Sequence, residues 1–159
     1  MALKRRYYVE GNILAYKNAS STYKETKIKT ASQGQLLIML YEEAVRQLSM
    51  AIEMLELKNE NKKIHDKIEK INKAIMKAEE IITELMVSLD FDKGGDVAKN
   101  LFALYSWFNK ELLEAGITQD VERIKTVRTM FGELHNSWKK IVHTVESENR
   151  DAVGLNISG

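Results

Sequence analysis

The stretch Ser88-Leu89-Asp90-Phe91-Asp92-Lys93-Gly94-Gly95 puts Asp90, Asp92 and Gly95 at the first, third and sixth places of an EF-hand loop. The chemistry would be oxygen ligation of a hard cation, and it needs a bidentate Glu at the twelfth place. That place is Leu101, and the fifth, which should offer a side-chain oxygen, is Gly94. The ligand set is incomplete, so the stretch reads as a turn, with Gly94 and Gly95 as its structural residues. Di-iron bundles use Glu-x-x-His to set two ligands on one helical face. None of His65, His135 and His143 has Glu three residues before it, and no two are four apart, as helical zinc pairs require. A phosphotransfer bundle would present an exposed histidine beside Lys and Gly. His135-Asn136-Ser137-Trp138-Lys139-Lys140 matches that only loosely, and simple solvent exposure is the plainer reading of all three histidines. No Gly-rich loop follows a strand, and no carboxylate pair stands out among the acidic residues. No catalytic, metal or cofactor residue is assigned, and a non-enzyme is expected.

The elements that would position any site are easier to read. The 159 residues suit one domain with a core of its own. There is no cysteine, which excludes disulfide and thiolate chemistry, and no proline to interrupt a helix. With 24 basic and 23 acidic residues the chain lacks the basic excess of a general nucleic-acid binder. Lys4, Arg5 and Arg6 read as a solvated cluster. The longest strictly apolar run, residues 36–41, is far short of the roughly 18 residues of a membrane span. No apolar region of a secretory signal follows the basic start. A cytoplasmic domain that neither inserts stably in a membrane nor binds nucleic acid is expected.

Apolar residues recur in alternating steps of four and three at Ile64, Ile68, Ile71, Ile75, Ala78, Ile82, Leu85 and Leu89. That spacing is a helical seam. Similar stripes run Leu36-Leu40-Ala44-Leu48-Ala51-Leu55, Val97-Leu101-Leu104-Phe108-Leu112, and Val121-Ile124-Val127-Phe131-Leu134-Trp138-Ile141-Val145. Ser32 and Gln35 fit a capping box. Residues 58–63 are a polar connector. Gly94 and Gly95 separate the second and third helices, with Asp96 as the next cap. Gly116 is placed to end the third helix in the left-handed region, and Thr118 to cap the fourth. The expected fold is all-α: an antiparallel four-helix bundle over residues 32–145. An N-terminal arm or short cap helix, residues 1–31, would precede it, and a mobile polar tail, residues 146–159, would follow.

The third helix carries more apolar surface than one seam needs. Phe102, Tyr105 and Leu113 widen the stripe on one flank and Trp107 falls off the other; Met76, Ile81, Met86 and Val87 lie outside the seam of the second helix. A wide core or cover by the arm would account for single residues. Together they point to a partner surface for amphipathic segments.

These residues resemble the flagellar secretion chaperone FliS family. The likeness covers Ile13 to about Ile141. It rests on Ala15-Tyr16, on Thr30 to Ser32, on Leu36 to Ala44 and on Lys77 to Leu85. It continues through Ser88 to Tyr105 and Leu112 to Ile117, with Trp138 in the last helix. The part from the second helix through Gly94-Gly95 to Asn100-Leu101 and Leu104-Tyr105 is the most specific. The family's Ser-Pro is Ser32-Gln33 here, which removes a preset φ at a helix start. Its Gly-Ala is Glu43-Ala44, and its Ala-Asn is Ala115-Gly116. The resemblance implies a cytosolic chaperone that binds the disordered C-terminal region of flagellin, prevents premature polymerisation and supports delivery to the export gate. Flagellin and a gate component are the implied partners, and no cofactor is implied. Ile13 and Tyr16 match arm positions that influence cargo binding. With Asn100, Phe102, Tyr105 and Trp107 they form the candidate partner or cap site. The rivals are a self-associating structural bundle and a phosphotransfer bundle.

Overall fold

Leu36, Leu40, Ala44, Leu48, Ala51 and Leu55 are all buried, and the helix they define, α1 (Gln33–Glu60), is one wall of the core. In the second seam Ile71, Ile75, Ala78, Ile82 and Leu85 are likewise buried on α2 (His65–Val87). The computed structural model describes residues 32–60 and 65–157. Its other two helices are α3 (Phe91–Thr118) and α4 (Val121–Ile157). Each fully buried Leu, Ile or Phe contributes about 1.5–3 kcal/mol relative to an exposed side chain.

The four helices close a ring: α1 packs on α2 and α4, and α3 packs on α2 and α4. Paired side chains fix the directions. Ser32 and Gln35 meet Glu146, Tyr41 meets Trp138, and Arg128 meets Ser49, so α1 and α4 run antiparallel. Asn72 meets Gln119 and Thr83 meets Asn109, so α2 and α3 do too. The expected all-α bundle is the observed one, and no strand occurs among the described residues.

Helix ends differ from the sequence reading in instructive ways. Ser32 does cap α1, its Oγ accepting from the Gln35 N–H at 3.2 Å. Gln35 does not reach back; its Nε2 donates to the Glu146 carboxylate at 3.0 Å. Gly34 lets the two helices approach there, since a Cβ would lie 3.0 Å from both Val142 methyl groups. Between α2 and α3 the break is at Ser88 to Asp90, ahead of the glycines. Asp90, rather than Asp96, caps α3, with Oδ1 accepting from the Asp92 and Lys93 N–H groups at 3.1 and 3.0 Å. Gly95 then takes φ 50°, ψ −128° and kinks α3 after its first turn. Only glycine holds such a backbone without strain.

Gly116 does not end α3. The helix runs two residues further, and Gln119 is the left-handed C-cap at φ 57°, its N–H donating to the Ala115 carbonyl. A hydrogen bond from Gln119 Nε2 to Asn72 Oδ1, 3.1 Å, holds that residue from α2. The α4 start is capped by Asp120 rather than Thr118: Asp120 Oδ1 accepts from the Glu122 N–H at 3.0 Å. Finally, residue 145 is not a helix end, because α4 continues through Ile157.

Candidate protein-docking site

The core face of α3 is Ala98, Tyr105, Phe108, Leu112 and Ala115, all buried, with Leu101 half-buried between them. This seam is rotated from the expected one. Val97 points out, 64% exposed, and Tyr105 points in, 2% exposed. Tyr105 is therefore a core residue and not part of a docking surface.

Its hydroxyl completes a polar chain through the centre of the bundle. Trp138 Nε1 donates to the Tyr41 hydroxyl at 3.1 Å, and the Tyr41 and Tyr105 hydroxyls are hydrogen-bonded across the core. Tyr41 accepts the Trp138 proton, and either phenol can supply the proton of the Tyr41–Tyr105 bond. Burial, and then the neighbouring Tyr105, holds the Tyr41 phenol far above its ordinary range; burial also raises Tyr105. The Tyr41 ring stacks on Phe131 at 4.4 Å and lies parallel to His135 at 6.3 Å. His135 is half-buried, with a buried Nε2 that makes no hydrogen bond. Burial and then Lys139 lower its pKa, against an opposing effect of Glu42. It is not the exposed histidine that the sequence suggested, and a shielded Nε2 is a poor phosphoryl acceptor. His143 is exposed; the side chain of His65 is outside the described residues.

The remaining candidates divide over two flanks and the outer side of α3. Asn109 donates to Thr83 Oγ1 of α2 at 3.0 Å and marks one flank. Helical spacing puts Phe102, Leu113 and Ile117 on that flank, 42%, 57% and 73% exposed, facing Met76 and Val87 across the α2–α3 crevice. Phe102 also meets Phe91 edge to face, ring centres 5.9 Å apart. Of the residues outside the α2 seam, Ile81 is fully buried and Met86 half-buried. Glu79 lies on the α3-facing side of α2, its carboxyl raised by burial and then by Glu80.

Glu111 marks the other flank by accepting from Arg123 of α4 at 2.7 Å. Val97, Leu101 and Leu104 follow it along α3. Met130, Leu134, Trp138, Ile141 and Val145 follow Arg123 along α4. Antiparallel register carries Leu104 opposite Met130 and leaves Ile141 and Val145, both about half exposed, beside the first turns of α3. These two belonged to the expected core seam; the kink at Gly95 and the length of α4 leave them uncovered. Asn100 and Trp107, seven residues apart and so on one line, occupy the outer side, both exposed, with Trp107 against Phe108 at 5.7 Å. The structure thus gathers Asn100, Phe102 and Trp107 on one helix without bringing their side chains together. Ile13 and Tyr16 lie outside the described residues.

α3 is open on both flanks with apolar side chains exposed on each, the kind of surface that marks partner sites on protein domains; no group of three or more His, Cys, Asp or Glu that could hold a metal occurs among the described residues. The family model for the flagellar protein FliS matches residues 16–145. The chain belongs to the FliS family. It is 33% identical over 135 residues to the flagellar secretion chaperone FliS of Salmonella typhimurium, covering 84% of this chain and 92% of that one. The Bacillus subtilis flagellar secretion chaperone FliS is 25% identical over 141 residues, 89% of this chain and 96% of the relative. A crystal structure of a bacterial flagellar chaperone superposes with a TM-score of 0.61 at 21% identity, over 77% of this chain and 93% of that one, and shows the same fold. These FliS relatives are named chaperones rather than enzymes. No helix among the described residues is long and apolar enough to cross a membrane.

Proposed function

We propose that this FliS-family chain is a cytosolic export chaperone for flagellin. It holds the disordered C-terminal region of unassembled flagellin as amphipathic helices, prevents premature polymerisation, and supports delivery to a component of the flagellar export gate. The observation that carries the reading is the pair of open apolar surfaces flanking α3, Phe102, Leu113 and Ile117 on one side and Val97 with Ile141 and Val145 of α4 on the other. A segment that folds as it binds loses chain entropy, so it needs a broad apolar surface of this kind. The arm carrying Ile13, Leu14 and Tyr16 is a tethered cap over part of that surface, displaced when cargo arrives. A cap lowers the apparent affinity by the fraction of time it occupies the site.

The test is a calorimetric titration of the purified chain with a C-terminal flagellin fragment. Phe102→Asp and Trp107→Asp are expected to weaken binding by about 30-fold or more each, as aromatic anchors do, with little change in melting. Leu101→Asp, half-buried against the core, is expected to unfold the bundle instead. Wild-type chain that does not bind the fragment, or that scatters light as a dimer which flagellin leaves intact, refutes the reading in favour of a self-associating bundle. Hydrogen exchange addresses the cap: protection of the arm without flagellin and its loss with flagellin are expected, and an arm unprotected in both states rules the cap out.

A further inference from the structure

The α1–α2 side of the bundle, away from α3, carries a second surface. On α1, Met50 and Leu57 are 39% and 40% exposed and seven residues apart, hence on one line of the helix, with half-buried Met54 between them in sequence and the Met50 sulfur accepting from Arg46 at 3.3 Å. Across the crevice α2 presents Lys67, Lys70, Lys73 and Lys77 at successive steps of three and four. Lys70 and Lys73 are exposed, and Lys67 and Lys77 half-buried along the helix. Elsewhere cations find carboxylates: Arg46 meets Glu43, Arg123 meets Glu111, and Lys125 meets Glu56. Among the described residues none of these four lysines does. Glu69 lies four residues before Lys73 and Glu80 three after Lys77, and among the described residues no ion pair joins either of them to these lysines. Two methionines and a leucine form an adaptable apolar strip, and an unneutralised row of lysines borders it.

We infer that the α1–α2 face is a separate docking site for an acidic amphipathic helix, its apolar side chains on Met50, Met54 and Leu57 and its carboxylates against Lys70 and Lys77. The occupant is a protein segment because the lysines edge an apolar strip at helical spacing. A bare anion site would have no use for the strip. The site lies opposite the α3–α4 flank and shares α2 with the flank around Phe102, and the inference stands whether or not flagellin is the cargo held on α3.

The test uses the full chain and a synthetic helical peptide of about 15 residues, with Leu at steps of three and four and Glu on either side of the Leu stripe. A sequence-matched peptide with Lys for Glu is the control. Binding is read by fluorescence anisotropy at low and high salt, and located by amide shifts. The acidic peptide is expected to bind, to shift residues around Leu57 and Lys70, and to weaken with salt. The double variant Lys70→Glu/Lys77→Glu is expected to lower affinity about tenfold or more, from screened pairs each worth a few-fold. Phe102→Asp is expected to leave it unchanged. Lys70 is exposed and Lys77 half-buried with no ion pair to break, so circular dichroism of the variant should match the wild type. Equal binding of the Lys peptide, shifts confined to α3, or loss by Phe102→Asp each overturns the inference. So does tight binding to phosphatidylserine vesicles or to single-stranded DNA with none to the acidic peptide, either of which would assign the lysines to a membrane or a nucleic acid.

Discussion

Replacing Tyr105 by Phe removes one oxygen and nothing else from the centre of the bundle. Trp138 Nε1 donates to the Tyr41 hydroxyl, which is in turn hydrogen-bonded to the Tyr105 hydroxyl, with Tyr41 fully buried and Tyr105 nearly so. Without the Tyr105 oxygen, Tyr41 still accepts from Trp138 but its own proton points into apolar side chains. A buried donor left unpaired costs about 1–3 kcal/mol. At about 2–4 °C per kcal/mol for a domain of this size, Tyr105→Phe should lower the melting temperature by about 2–12 °C. Tyr41→Phe should cost a similar amount, since Trp138 then loses its acceptor. The double variant removes both hydroxyls together, leaves only the partly solvated indole N–H unpaired, and should cost clearly less than the sum of the singles. The assay is urea unfolding followed by helical dichroism, with the denaturant slope checked to be constant across the four proteins. Strict additivity of the two substitutions would falsify the shared bond. Unchanged stability of Tyr105→Phe together with weakened cargo binding would return Tyr105 to the docking surface.

Gly95→Val should destabilise the fold by about 1–3 kcal/mol, the cost of forcing a β-branched residue to positive φ. No atom lies within 4 Å of the added Cβ, so the loss is backbone strain alone, and an unchanged melting curve would contradict that φ. Asp90→Ala should cost about 0.5–2 kcal/mol through the lost N-cap, by the same amount with calcium or with a chelator; a calcium-dependent difference would restore the metal reading. Because burial lowers the His135 pKa, the unfolded chain takes up a proton near 6.5 before the folded one does. Stability should therefore fall as pH drops from 6.5 towards the folded value and level off below it. Denaturation midpoints across that window should show a slope that His135→Gln reduces, and an identical slope in the variant would assign the effect to other groups.

The α1 and α2 seams were legible residue by residue because each of those helices has one broad polar face, so periodicity also fixes phase. On α3 the same period is present, but apolar side chains on both flanks leave the phase open by one residue. Val97 was read as core and Tyr105 as surface for that reason. A tyrosine hydroxyl can be buried only if another chain segment supplies its partner, and Tyr41 lies 64 positions away. The α3 terminus was misread for a similar cause: Gly116 is a good local stop, but Asn72 of α2 stabilises the left-handed Gln119 instead. Past residue 145 α4 looked like a tail because Glu146, Glu148, Arg150 and Asp151 are polar. All four are compatible with a solvated helix, and Glu146 is held by Ser32 and Gln35. The exposure of Phe102 and Trp107 followed from their angular distance from the seam. The openness of Ile141 and Val145 depended on a kink that no local pattern announces.

The hydrogen bonds of Glu146 to Ser32 and Gln35 bring the start of the first helix against the last. The bundle is topologically a loop of four equivalent seams, of which three happen to be spanned by covalent turns. Where the backbone is cut then matters little to the packing. A circularly permuted chain, with α4 linked to α1 by a short flexible peptide and new termini opened in the 61–64 connector, would keep every seam in place. It would also detach residues 1–31 from α1, so that the cap proposed for them could be supplied as a separate peptide.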